Sequence, residues 1–168
     1  MSDKFKEMAS KAREEHEKTI AAAQAKLEAE RAARYQSVDT AVLALRTQVQ
    51  PVIEQARREF HSEGIEMRVE ENYDIKNFIS QNPSIIIKCA GPIRASDRYQ
   101  PFSRACIFSS DGQRVFVELE SHRSERSEKL GESPLERADH LIEEGIKRVL
   151  QEYFDALPEM KRIADVRR

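Results

Sequence analysis

The side chains best equipped for chemistry are four histidines, His16, His61, His122 and His140, and two cysteines, Cys89 and Cys106. A zinc site gathers three or four such donors, usually with two of them a few residues apart. No histidine here has a His or Cys partner at that spacing, so no metal is expected. Only a site assembled in space from His61, Cys89, Cys106 and His122 could collect enough donors. Both cysteines sit in apolar stretches, where a free thiol behaves as a small buried hydrophobe, and that is the reading adopted.

Nucleophilic and phosphate chemistry have no better footing. The chain lacks a Gly-x-Ser-x-Gly elbow, a Walker loop and a Gly-rich dinucleotide turn. Its glycines, Gly64, Gly91, Gly112, Gly131 and Gly145, stand too far apart to let a backbone cradle a phosphate. The carboxylate pairs Glu70/Glu71 and Glu143/Glu144 are adjacent in sequence, which points the two side chains apart on a strand or a helix. No catalytic residue is assigned, and no cofactor is expected.

Recognition is the remaining chemistry. The segment Gly91–Pro101 carries Arg94, Arg98 and Tyr99, residue types that combine contact area with directed hydrogen bonds. These three are the candidate binding residues, with a local Asp97 ion pair as the plainer explanation. The stretch Ser121–Lys129 is polar and of mixed charge, and reads as a loop.

Composition narrows the class of protein. Of 168 residues, 39% are hydrophobic and 35% charged, with no Trp, and the mean hydropathy is −0.68. That is too polar for every segment to be buried, so part of the chain must be a solvated helix or tail. The net charge is −2 with both signs dispersed, which lacks the basic footprint of a duplex binder. Nucleic acid is therefore not expected as a partner. The N-terminus Met1–Glu7 has no apolar signal core and no run reaches membrane-spanning length, so no membrane association is expected. Two isolated cysteines suit a reducing cytoplasm.

The positioning elements begin with a long helix. From Ser2 to His61 there is no Gly and one Pro, and Thr19–Glu30 is dominated by strong helix formers. Glu7/Lys11, Glu14/Lys18 and Glu30/Arg34 place opposite charges four apart, each pair contributing roughly 0.2–0.5 kcal/mol. The apolar stripe of the first half is thin: Phe5, Met8, Ala12, Ile20, Ala23 and Leu27. The second half carries a heptad seam, Tyr35, Val38, Val42, Leu45, Val49 and Val52, continued by Ala56 with Ile53 and Phe60 alongside. Strict heptads from Leu27 would bring Arg34 and Ser37 onto the seam, so the phase slips before Tyr35 and Ser37 could cap a new start. Pro51 removes a helix hydrogen bond, so either the helix kinks at Gln50, which is the reading adopted, or a second helix begins there with Pro51 in its first turn.

Beyond Gly64 the patterns change period. Ile65–Glu70 alternates as a half-buried strand, and Pro83–Ala90 is apolar on both faces, as expected of a strand covered on both sides. Phe102–Phe108 and Arg114–Glu120 form a third and fourth strand joined through Asp111-Gly112, a hairpin signal that pairs Phe108 with Val115 and Cys106 with Val117. Ser133-Pro134-Leu135-Glu136 reads as a capping box opening a helix whose stripe runs from Leu135 to Leu157, with an end or restart at Pro158.

The expected fold is α+β: a long N-terminal helix kinked near Pro51, a four-stranded antiparallel meander, and an amphipathic C-terminal helix on the sheet. The expected organisation is a charged helical arm (1–36), a seam helix (37–61), an α+β head (62–158) and a basic tail (159–168). Such a chain reads as a non-enzymatic interaction or oligomerisation module, its partner being another protein or itself as a homodimer. The alternative is a small-ligand or nucleic-acid binding head using the Arg94/Arg98/Tyr99 loop. The seam can be covered either by the head or by another chain, and the sequence leaves both open.

Overall fold

The computed structural model describes residues 2–75, 81–90, 104–120 and 127–166, with side chains as far as Asp155 in the last of these segments. The chain divides into two compact units, residues 1–36 and 37–168.

The first unit is helical, part of α1 (Ser2–Ala44). Two of the expected ion pairs form, Glu7–Lys11 at 3.2 Å and Glu14–Lys18 at 3.5 Å, and Lys26–Glu30 adds a third at 4.0 Å. Ser37 caps no new start, because α1 runs through it to Ala44.

The interruption near Pro51 takes a specific form. Residues Leu45–Val49 make a π-helical turn, and α2 (Gln50–Ser62) follows with Pro51 in its first turn. The Gln50 amide donates to the Leu45 carbonyl, the wider i to i−5 bond of such a turn. Pro51 has no amide to donate, so the ladder must change register near it, and the extra residue does so.

An antiparallel meander follows, with strand order β1-β2-β3-β4-β5: β1 (Glu66–Asn72), β2 (Ser84–Ala90), β3 (Cys106–Ser110), β4 (Arg114–Leu119) and β5 (Glu128–Pro134). A 3₁₀ turn (Leu135–Arg137) leads into α3 (Asp139–Val166). The fold is α+β, with five strands rather than four.

The extra strand corrects two readings at once. Glu128 and Lys129 are in β5 rather than in a loop, and Ser133 pairs with Val115 instead of capping a helix. Leu130 is the one large apolar side chain of β5, so hydrophobic alternation is absent and backbone pairing alone reveals the strand. A register shift between Val117 and Glu118 lets it follow β4.

The β3–β4 register also differs from expectation, with Phe108 opposite Val117 and Cys106 opposite Leu119. Asp111 Oδ1 accepts from the amides of both Gln113 and Arg114 at 2.8 Å, and Ser110 Oγ donates to the Arg114 carbonyl. These bonds stabilise a longer loop than a two-residue turn. The slip is of two residues, so every side chain keeps its face. Phe102 lies outside the described residues.

The inward sheet face, with Met67, Ile85, Ile87, Phe108, Val117 and Leu119, forms one core with Leu45, Val49 and Ile53 and with Ile142, Ile146 and Val149 of α3. On the outward face Ile86, Ile107 and Phe116 are only half-buried. The strand β2 is thus not packed by a described helix on both faces, and its apolar run reflects only one. The helix α3 continues through Pro158 to Val166 instead of ending there.

Gly145 is where α3 comes closest to the sheet: an added Cβ would lie 2.9 Å from Val117 Cγ1 and 3.0 Å from the Phe108 ring. Helix propensity alone would make Gly145→Ala stabilising by about 1 kcal/mol. The contact reverses that sign, and a loss of roughly 1–3 kcal/mol is expected in denaturant unfolding. Leu45→Ala, at a wholly buried site, should cost about 2–5 kcal/mol, whereas Leu43→Ala at an exposed one should change little.

Candidate association surfaces

The seam proposed from sequence is divided by the structure. Val38, Leu45 and Val49 are buried, Val42 and Val52 are half-buried, and Tyr35 is exposed. Leu45 and Val49 belong to the same core as the sheet, and Val52 packs against it. That part of the seam is already covered within the chain. Four-residue spacing explains the choice. Ala41, Leu45, Val49 and Ile53 would drift around an ordinary α-helix by about 40° per step, and the wider π turn takes back part of that drift.

The polar flank of the π turn is tied down separately. Arg46 stacks over the Tyr73 ring at 5.0 Å, and Gln50 donates to Glu71 at 2.8 Å. Burial, followed by the nearby Glu71 charge, pushes the Tyr73 hydroxyl above its ordinary pKa, so it stays neutral.

On α3, Glu152 collects the Arg104 side chain, with Nε at 2.7 Å and a further bond from Nη2, and accepts the Arg104 amide at 3.3 Å. Arg104 Nη2 also donates to Glu128 at 3.1 Å, and Arg148 reaches Glu128 at 3.4 Å. These charges pair with one another and bind β5 and α3 to the start of β3. Their arrangement is that of a clamp.

Among the described residues two open apolar surfaces stand out. One is on the arm, where Phe5 is 71% exposed, Met8 59% and Leu27 54%, with Ile20 also exposed. The other is a groove of about 420 Å³ on the head between the end of α2, the start of β1 and α3. It is lined by Phe60, Ile65, Leu150, Tyr153 and Phe154, with the Glu63 carboxylate at its rim. Phe154 is 50% exposed and meets the Tyr153 ring edge-on at 5.5 Å. The sequence places Phe60, Leu150, Tyr153 and Phe154 on helix stripes and Ile65 in a strand, and does not show the groove, because the wide stripe of α3 does not reveal which of its members lies beyond the sheet edge.

Arg94, Arg98 and Tyr99 lie outside the described residues, as does His122. His16, His61 and His140 are exposed, and among the described residues no group of three His, Cys, Asp or Glu side chains is placed to hold a metal. Cys89 and Cys106 are wholly buried thiols, and burial pushes each up to about 12. No described helix is long and apolar enough to cross a membrane. Comparison with protein-family models, curated proteins and solved structures finds no match to this chain.

The cysteines give a direct test of this packing. Thiol alkylation at pH 8 should label neither in the folded protein and both in guanidinium, read by mass spectrometry. A folded thiol that holds its proton to about 12 is outrun by an unfolded one that loses it near 9. The unfolded state therefore sheds protons first, and stability should fall as pH climbs from 9 toward 12.

Proposed function

We propose that this chain is a non-enzymatic interaction module in which the helical arm mediates association and the α+β head docks a protein partner. The observation that carries the reading is the arm's exposed Phe5, Met8, Ile20 and Leu27. Scattered surface apolar residues are ordinary, but these lie in a sector of roughly 120° on one helix, which makes a stripe. A stripe of that kind is stabilised by burial against another helix. The groove beside Phe154 supports a docking role for the head, since aromatic anchors in a concave apolar setting concentrate binding energy.

Light scattering across micromolar concentrations tests the reading. Full-length protein should associate with itself or with a captured partner, and a chain beginning at Ser37, which retains the whole core, should be monomeric. Equal masses per chain for the two, with neither bound to anything, would remove the arm from the proposal.

A further inference from the structure

We propose that the occupant of the arm's apolar stripe is the arm of a second copy of this chain, running antiparallel, with the two-fold axis beside His16. This rests on the association reading above and adds partner, orientation and register to it. The stripe repeats every eleven residues: Phe5, His16 and Leu27 share one position, Ala9 and Ile20 a second, Ala12 and Ala23 a third. Eleven residues in three turns is close to the natural winding of an α-helix, so the stripe stays on one face of a nearly straight helix over its length. The heptad seam of the later residues is a different pattern.

Within that repeat, large and small residues fall in complementary order about His16. An antiparallel pair centred there sets Phe5 level with the partner's Leu27, Ala9 with the partner's Ala23, and Ala12 with the partner's Ile20. Ile20 thus meets a small side chain, Phe5 meets Leu27 at the opposite end of the stripe, and Met8 falls level with the partner's Gln24. His16, exposed in the single chain, would meet its own mate.

Charge selects the orientation. Lys6, Arg13, Glu17 and Glu28 lie along one flank of the stripe, and none has an ion-pair partner among the described residues, unlike Lys11, Lys18 and Lys26. In an antiparallel pair like flanks adjoin, which brings Lys6 beside the partner's Glu28 and Arg13 beside the partner's Glu17. On the other flank Lys4 falls beside the partner's Glu30 and the partner's Lys26, and Glu15 beside its own mate, so that side carries both opposite and like contacts. A parallel, in-register pair sets opposite flanks together, and then Lys6 meets the partner's Lys4, Glu17 the partner's Glu15 and Glu28 the partner's Glu30, against the opposite-charge contacts of Arg13 with the partner's Glu15 and Glu28 with the partner's Lys26. Exposed charges contribute little affinity, but opposite contacts outnumber like ones in the antiparallel pair and not in the parallel one, and that balance selects the orientation.

Three measurements on the full chain decide it. Light scattering should give a dimer in the micromolar range, and Leu27→Glu should return it to monomer while leaving the head's thermal unfolding unchanged. His16→Leu, which replaces a polar residue at the centre of the contact, should hold the dimer together at about tenfold lower concentration. For orientation, Ala9→Cys mixed with Ala23→Cys should form a disulfide-linked dimer under mild oxidation, while neither should link to itself, since like positions lie roughly 21 Å apart along the axis. The buried native cysteines leave a clean background. Self-linking by each single variant would mean a parallel pair, overturning the register while leaving the association reading in place. A monomer throughout the concentration range would overturn self-association itself, and a dimer indifferent to Leu27→Glu would move the interface off the arm.

Discussion

Everything in the head depends on how the helix ladder copes with a residue that cannot donate to it. Pro51 deprives the helix of one amide, and the chain answers with a π turn over Leu45–Val49 just ahead of it. The added residue rotates the helix so that Leu45, Val49 and Ile53, spaced by fours, can all face the sheet. On an undistorted helix that row would spiral away from the core. The same turn is pinned from its polar side by Arg46 on Tyr73 and Gln50 on Glu71. A backbone defect is thus enclosed between a hydrophobic contact and a polar one.

Once that row is seated, the remaining layer follows from sterics. The helix α3 settles across the same face of the sheet, and Gly145 lets it approach Val117 and Phe108 to ordinary packing distance. At the start of β3, Arg104 is gripped by Glu152 and linked to Glu128, so the last helix and the last strand are held by charge as well as by apolar contact. With Leu45 and Val49 covered from within, the large apolar side chains still exposed among the described residues are those on the arm, Leu43 and Phe154. The division between a satisfied core and unsatisfied stripes is what a module built for contact with other chains requires.

The sequence made the α+β order and four of the strands readable because their inward residues alternate at period two and the helices at close to four. What escaped it was carried by the backbone. The strand β5 has a charged, Gly- and Pro-containing sequence that resembles a loop, and only its pairing with β4 makes it a strand. Ser133-Pro134-Leu135-Glu136 has every residue a capping box needs, yet the local preference yields to that pairing, and α3 starts at Asp139. The Asp-Gly signal correctly placed a turn between β3 and β4, but Asp111 and Ser110 hydrogen bonds enlarged it and moved the register by two. Leu45 and Val49 were legible from spacing as part of an apolar row, whereas their covering by the chain's own sheet depends on a π turn that no residue pattern announces. Tyr153 and Phe154 were seen as stripe members and not as the wall of a groove, because position relative to a sheet edge is a tertiary property.

The meander has a consequence for how the molecule is made. Every pair of neighbouring strands is also adjacent in sequence, so each pairing closes only the segment between them and the sheet can grow in the order of synthesis. Its inner face has no such convenience. The row from Leu45 to Ile53 is available from the start, but α3 emerges after all five strands, and until then half of the apolar layer has no cover. During that interval the nascent head presents Phe108, Val115 and Val117 to whatever is nearby, and a chaperone or a fast-docking α3 must reach them before another nascent chain does.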